Sequence, residues 1–162
     1  MLTDRTRKEP FFALCGLNCC LCPRFNTDGK SKCPGCGGPD FPEKHPTCPV
    51  MTGNKKHDAV EFCFQCCDYP CGRYRNPPVG DSFISYKNVA MNLDKAKRNM
   101  TEYLEELSLR KKCLDTLLNN FNDGRKKSFY CLAANDLPPE ALTEIMAERS
   151  EEHTSELQSR QS

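Results

Sequence analysis

Apolar residues in the second half of the chain recur at the period of an α-helix. Successive members of this stripe are alternately three and four residues apart over six turns, which places them on one face of an amphipathic helix. The stripe consists of Tyr86, Val89, Leu93, Ala96, Met100, Tyr103 and Leu107. We predict that this face packs within the monomer; the alternative, a dimeric coiled coil, needs more heptads than the pattern sustains.

The apolar pattern continues beyond this stripe, in a second helix or in a bent continuation of the first. Its members are Cys113, Leu114, Leu117, Leu118 and Phe121. The sequence Asn122-Asp123-Gly124 then predicts a helix stop, because Asn and Gly adopt the left-handed conformation that ends helices.

Two shorter helices are predicted near the C-terminus. The first covers residues 126–134, and its inward-facing residues are Phe129, Leu132 and Ala133. Asp136 is expected to cap the second, whose first turn tolerates two prolines. The buried face of that last helix is predicted to be Leu142, Ile145 and Met146.

The first half of the chain lacks helical periodicity. Residues 13–75 contain seven prolines and a Gly-Gly pair at 37–38, which predict loops and tight turns. The segment is also poor in aliphatic residues, so we expect it to need metal in order to fold. The predicted fold is a metal-stapled irregular module over residues 1–76, a linker over 76–81 and a helical region packed on the module over 82–148, with little β-structure.

Cysteine dominates the chemistry of this module. The chain has 13 cysteines, and 11 of them lie in residues 1–80. Three C-x2-C pairs stand close together, and two thiolates at that spacing can reach one tetrahedral ion from a single turn. The predicted metal ligands are Cys15, Cys19, Cys22, Cys33, Cys36, Cys48, Cys63, Cys66 and Cys71.

The strongest local signal is the segment Cys33-Pro34-Gly35-Cys36-Gly37-Gly38, which has the zinc-knuckle pattern. In such a turn the backbone N–H groups point at the thiolates and stabilise their charge. Glycine after the second cysteine adopts the conformation that the turn requires.

Nine candidate ligands exceed two four-ligand sites by one. One grouping has a site of Cys19, Cys22, Cys33 and Cys36, a second site of Cys48, Cys63, Cys66 and Cys71, and a spare Cys15. Another grouping gives Cys15 a metal and frees a different residue, and the sequence leaves both open. We predict two zinc ions; an iron–sulfur cluster is the alternative, because four thiolates suit both.

The remaining cysteines and two histidines have structural interpretations. Cys20 and Cys67 each follow a predicted ligand directly, so their side chains should point elsewhere, and two further cysteines should be small buried hydrophobic residues on helix faces. These two are Cys113 and Cys131. His45 and His57 lack a partner at standard ligand spacing and are predicted to be surface or loop histidines.

The composition of the chain indicates its cellular compartment and the classes of partner to expect. The first ten residues are polar and charged, no secretory signal follows them, and no apolar run is long enough to span a membrane. We therefore expect a reducing, cytoplasmic compartment, where clustered cysteines bind metal rather than form disulfides. Residues 1–80 carry 11 basic and 8 acidic groups, and two Zn²⁺ with eight thiolates would make the module slightly negative. We therefore expect no nucleic-acid partner and no membrane association.

Residues 149–159, with the sequence RSEEHTSELQS, resemble the in-frame translation of a widely used DNA sequencing adapter. We therefore exclude residues 149–162 from the fold and the site, and we expect the native sequence to depart from this one near Glu148.

Four elements of the module, in order, resemble a family of cysteine-rich bacterial and archaeal proteins catalogued as domain of unknown function 3795. They are CGLNCCLCP at 15–23, CPGC at 33–36, the isolated Cys48, and FCFQCCDYPC at 62–71. Cys20 and Cys67 depart from the family pattern, where polar residues are expected. The resemblance covers residues 13–75 and implies a prokaryotic zinc-binding module, without implying an activity.

The sequence thus favours a structural-zinc protein that acts as an interaction module, with an unknown protein partner. The alternatives are an iron–sulfur or thiol-redox protein, and an enzyme or metal carrier with an open zinc position. None of the motifs H-E-x-x-H, G-x-S-x-G or the P-loop occurs, so we name no catalytic residue and lean against an enzyme.

Overall fold

The computed structural model describes residues 6–76 and 83–148. The predicted linker, apart from Asn76, and the adapter-like tail lie outside these residues. The α-helices of the described part are α1 Phe41–Lys44, α2 Pro49–Asn54, α3 Gly72–Arg75, α4 Val89–Arg98, α5 Met100–Phe121, α6 Lys127–Asp136 and α7, residues 139–148. Two 3-10 turns cover Cys19–Leu21 and Cys63–Gln65. The expected helical C-terminal region and the near-absence of β-structure are confirmed, since Ser85 is the single bridge residue in the described part.

The long apolar stripe packs within the monomer, as predicted. Leu93 on α4 and Tyr103 and Leu107 on α5 are buried in one core. The expectation of one helix over six turns is wrong, because the chain is extended at Asn99 with φ −152° and ψ 97°. The side chain of Asn99 accepts a hydrogen bond from the Glu102 N–H at 3.2 Å, which favours a new helix start over continuation.

The break at Asn99 gives a direct stability prediction. Replacing Asn99 by alanine removes the acceptor for an orphan N–H at the start of α5 and should cost about 1 kcal/mol of folding free energy. Asn88→Ala is the matched control, since Asn88 precedes α4 without making a side-chain cap. Thermal unfolding should lower the Tm of the Asn99 variant by several degrees and leave that of the Asn88 variant nearly unchanged. Equal shifts would contradict the capping role.

The cysteine-rich module and the helices share a single hydrophobic core. Phe12 from the module contacts Phe62 and Tyr103, with ring centroids 5.4 Å and 4.7 Å apart. Leu21, at the first 3-10 turn, and Leu114 of α5 are fully buried in the same cluster. The module also has a smaller apolar cluster of its own, in which the buried residues Ala13, Leu14 and Cys36 pack against Val50 and Met51.

A buried polar network fixes the first 3-10 turn on the helices. Asn18 accepts a hydrogen bond from the Tyr103 hydroxyl at 2.6 Å and donates to the Asn135 side chain at 3.3 Å. The side chain of Asn92 on α4 donates to the Gly16 carbonyl at 3.0 Å. These bonds tie the residues around Cys15 and Cys19 to three helices.

The predicted inward face of α6 is wrong for two of its residues. Phe129 is 66% exposed and Leu132 is 47% exposed, while Ala133 is half-buried. The helix is instead rotated so that Asn135 is buried against Asn18. Hydrogen bonds to buried polar groups decided the rotation, and the apolar pattern does not encode them.

Arg110 of α5 holds the end of α6 in that orientation. It is buried, and its guanidinium donates to the carbonyls of Ala134 at 2.9 Å and Leu137 at 2.7 Å. Those carbonyls belong to the C-terminal turn of α6, where helix carbonyls lack intrahelical partners. Its charge is paired with Glu106 at 2.9 Å.

Two of the three remaining predictions for the C-terminal region are confirmed and one is wrong. The helix stop after Phe121 is confirmed, and Gly124 has φ +86°. Asp136 does not cap the last helix. It is the final residue of α6, and Leu137 is the C-cap of that helix. The predicted buried face of α7 is confirmed, with Leu142 buried and two half-buried residues beside it. These are Ile145 and Met146.

Candidate metal centre

Two of the three C-x2-C pairs form the same compact turn. In the first, the Cys22 N–H donates to the Cys19 carbonyl at 3.0 Å; in the second, the Cys66 N–H donates to the Cys63 carbonyl at 3.1 Å. Cys22 and Cys66 also share their backbone angles, φ −73° and ψ 139°. The spacing therefore encodes a tight local turn.

The pair Cys33 and Cys36, the strongest signal in the sequence, is held differently. The Cys36 N–H donates to the Pro10 carbonyl at 2.8 Å, and the Cys33 N–H donates to the Arg24 carbonyl at 3.0 Å. Gly35 has φ +89°, and a Cβ there would lie 2.3 Å from the Pro10 oxygen. Glycine is therefore required where this loop docks on the N-terminal segment.

Four cysteines from separate segments converge on one place, and we call them the inner thiol cluster: Cys15, Cys19, Cys36 and Cys48. Cys36 is buried and the other three are half-buried. Burial raises the pKa of the Cys15 thiol well above its usual range, and the charges of Cys36 and Cys48 raise it further. Burial also raises the pKa of Cys19, and the charges of Cys36 and Cys15 add to this.

Backbone N–H groups and one guanidinium partly oppose this repulsion. The Leu17 N–H bonds the Cys15 thiol and the Leu14 N–H bonds the Cys36 thiol, and each lowers the pKa of its partner. The charge of Arg7 lowers the pKa of Cys36 as well, although burial outweighs it. Donors of this kind are typical of sites that hold thiolates. The cluster fits a cation, because a bound divalent ion would remove both the repulsion and the cost of burying charge.

Three further thiols form a second set, the outer thiol group: Cys63, Cys66 and Cys71. Burial raises the pKa of Cys63, and the charges of Cys71 and Cys66 raise it further. The hydroxyl of Tyr74 lies at hydrogen-bond distance from the Cys63 thiol and lowers its pKa. The same hydroxyl donates to the Cys15 carbonyl at 3.1 Å, so Tyr74 joins the outer group to the inner cluster.

His57 and Asp68 lie beside the outer thiol group. The ring Nδ1 of His57 is 3.3 Å from Asp68 Oδ2. The ligand atoms of His57, Cys66 and Asp68 all lie within 4.8 Å of one another, and no other set of three ligand side chains in the described residues is as close. The thiols of the inner cluster are more widely spaced, so four bonds of about 2.3 Å to one zinc ion would require side-chain movement.

His57 could act as a zinc ligand by its chemistry, but the sequence favoured a surface or loop role for it. It does lie in a loop and its side chain is 46% exposed, as predicted, but that loop folds back onto Cys66. Eleven residues separate His57 from Asp68, a spacing with no known ligand signature. His45, the other candidate, stacks on Phe41 with ring centroids 4.5 Å apart.

Three of the four cysteines outside the ligand set are buried, as predicted, whereas the thiol of Cys67 hydrogen-bonds that of Cys66 instead of pointing away from it. Cys20, Cys113 and Cys131 are buried, and burial raises the pKa of Cys20 and of Cys131 to about 12. Cys67 is exposed. All 13 cysteines lie within the described residues, and all are free thiols.

The two predicted ligands outside both thiol sets are Cys22 and Cys33. The charge of Cys22 raises the pKa of Cys131, so Cys22 lies toward α6. Cys33 is buried beside the backbone of Arg24. That either residue binds metal stays a prediction from the spacing.

Comparison with family models, with curated proteins and with solved structures gives no match for this chain. Among the helices in the described ranges, none has the length and apolar character needed to cross a bilayer.

Proposed function

We propose that this protein binds two zinc ions, which hold its N-terminal half together. The observation that carries the proposal is the inner thiol cluster, in which Cys15 and Cys19 meet Cys36 and Cys48 at a place where their thiolates need a cation to offset burial and mutual repulsion. Thiolates are the ligands that favour zinc in closed tetrahedral sites. We assign one ion to Cys15, Cys19, Cys36 and Cys48.

A structural role follows from where these four cysteines lie in the chain. They span residues 15–48, a stretch whose longest helix in the described residues before Cys48 has four residues. A closed four-thiolate site would link its loops at one point. The binding free energy of such a site is on the order of 10 kcal/mol, comparable to the stability of a whole domain.

The outer thiol group supplies the second ion in this proposal. It offers Cys63 and Cys66 from one 3-10 turn and Cys71 from the start of α3. The Tyr74 hydroxyl lies at hydrogen-bond distance from the Cys63 thiol and would donate to its thiolate in place of the Cys15 carbonyl. The resemblance of residues 13–75 to the prokaryotic family catalogued as domain of unknown function 3795 is in keeping with this assignment, and we retain the cytoplasm as its setting.

We infer that the stapled fold serves as an interaction module for a protein partner. Phe129 and Leu132 lie one turn apart on α6 and are both largely exposed. Adjacent exposed apolar side chains on a rigid helix are typical of protein contacts rather than of nucleic-acid binding.

Metal analysis tests the proposed function. Protein purified without oxygen should be colourless and contain two zinc ions per chain by elemental analysis, because d¹⁰ zinc does not absorb visible light. Visible absorbance together with iron and sulfide would instead establish the iron–sulfur alternative. Fewer than one metal ion per chain would contradict both assignments.

A further inference from the structure

The outer thiol group is one ligand short of a tetrahedral site. The sequence offers Cys48 as its fourth member, but Cys48 lies with the inner cluster, where its charge acts on Cys15 and Cys36. Cys67 adjoins the group in sequence and its thiol hydrogen-bonds that of Cys66, but Cys67 does not line the cavity that the three outer thiols share. A fourth ligand must therefore come from elsewhere in the fold.

Two candidate ligands stand at this place. A ligand atom of His57 and one of Asp68 lie within 4.8 Å of the Cys66 sulfur. Both residues line a cavity of about 270 Å³ together with all three outer thiols. Five potential ligands around one small cavity are more than the surface of a loop normally assembles.

We propose that His57 is the fourth ligand of the outer zinc ion and that Asp68 orients its ring. Metal-binding histidines characteristically donate their second ring N–H to a carboxylate, which fixes the tautomer. The pairing of His57 Nδ1 with Asp68 Oδ2 at 3.3 Å has this form and leaves Nε2 for the ion. This proposal rests on the proposed function, because the outer zinc ion is one of the two ions assigned there.

The loop that carries His57 is built to hold it in place. Asn54, the last residue of α2, donates from its side chain to the Val60 carbonyl at 2.9 Å and accepts from the Ala59 N–H on its own carbonyl at 3.1 Å. Asp58 and Ala59 have φ of +59° and +47°, a left-handed conformation that is costly for residues other than glycine. This strained, closed loop holds His57 beside Cys66.

The mixed site should exchange its ion faster than the inner one. The side chains of His57 and Asp68 are 46% and 59% exposed, and the cavity opens to solvent beside them. The inner cluster offers four thiolates and no exposed ligand, since Cys36 is buried and the others are half-buried. A chelator therefore reaches the outer ion first, and the chain combines a structural ion with an exchangeable one.

The same three side chains could instead form a thiol nucleophile, with His57 as base for Cys66 and Asp68 as its orienting group. The outer thiols argue for metal, because Cys63 and Cys71 line the same cavity and their charges would add to that of Cys66. The metal-ligand and nucleophile assignments predict different effects of replacing His57 on zinc content and on the reactivity of Cys66.

Zinc release to a chromogenic chelator tests the proposal on the full chain. The wild-type protein should release its two ions in two phases of equal amplitude. His57→Ala should lose the fast phase and retain one ion per chain, and Asp68→Asn should keep both ions but release the outer one several-fold faster. His45→Ala is the matched control and should match the wild type, because His45 stacks on Phe41 and does not line the cavity of the outer thiols. Added imidazole should restore the second ion to His57→Gly.

The contrary outcomes are distinct. A His57→Ala protein with two ions and wild-type release rates would overturn the assignment. If that variant kept its zinc and its Cys66 reacted more slowly with iodoacetamide, the metal-ligand assignment of His57 would be wrong and the thiol-nucleophile assignment would take its place. The wild-type protein could also bind a single ion that is lost in Cys36→Ala and retained in His57→Ala. That result would overturn the outer site and leave the inner one. A zinc-free wild type would overturn the proposed function itself.

Discussion

Replacing Cys36 by alanine should remove one zinc ion and most of the stability of the protein. Cys36 is 5% exposed, and its loop meets the N-terminal segment through the hydrogen bond to Pro10. Removing one thiolate from a closed four-ligand site forfeits a large part of a binding free energy of about 10–16 kcal/mol. Because a folded domain is stable by only about 5–15 kcal/mol, the module should unfold at ordinary temperature. Elemental analysis and thermal unfolding measure the two effects.

The matched control is Cys20→Ala, the same change at a cysteine next to a predicted ligand. Cys20 is 3% exposed but lies in the apolar core. Its replacement should cost about 1–2 kcal/mol, as for other small core truncations, and leave both zinc ions in place. If Cys20→Ala released zinc while Cys19→Ala did not, the ligand assignment at the opening motif would be off by one residue.

Replacing Gly16 by alanine should be strongly destabilising although it leaves every proposed ligand intact. Gly16 has φ +95°, and a Cβ there would lie 2.5 Å from the Val89 carbonyl oxygen and 2.8 Å from Leu93 Cγ. The carbonyl belongs to the first turn of α4, so it cannot move without shifting the helix. Left-handed strain of about 1–2 kcal/mol and overpacking of about 1–3 kcal/mol together predict a loss of roughly 3–4 kcal/mol.

Gly29→Ala separates the two contributions to that loss. Gly29 has φ +85°, close to the value at Gly16, but a Cβ there would meet nothing within 4 Å. Its replacement should cost only the strain, about 1–2 kcal/mol. Denaturant unfolding of both variants measures the difference. Equal losses would mean that Cys15 and its neighbours do not dock tightly on α4.

Local features of the fold could be predicted because they depend on residues close together in sequence. The C-x2-C spacing predicted tight turns, and two of the three pairs form one with the same backbone angles. Gly124 lies just after the end of α5 and has a positive φ, a conformation that glycine adopts readily and that commonly ends helices. The burial of Cys113 followed from helical periodicity. Cys131 is buried as predicted, but on a different face of α6 from the one that periodicity indicated.

The errors fell where a polar side chain outweighed the apolar pattern. Asn99 divides a continuous stripe by capping α5 with its own side chain. The face of α6 turns toward Asn18 because the buried amide of Asn135 needs a partner, and Phe129 is left in solvent as a result. A buried amide without a partner costs as much as a well-packed aromatic side chain gains, so periodicity does not decide such cases.

The sequence by itself determined that cysteine pairs would form tight turns, that helices would follow them, and which cysteines would be core residues. Only the tertiary structure decided which thiols meet. The turns dock through bonds between distant backbone groups, such as Cys63 N–H to the Leu14 carbonyl at 2.9 Å and Cys36 N–H to Pro10. Such docking brought Cys15 and Cys48 into one cluster and His57 against Cys66. Ligand spacing along the chain fixes the shape of a turn, whereas the position of that turn depends on the core it packs against.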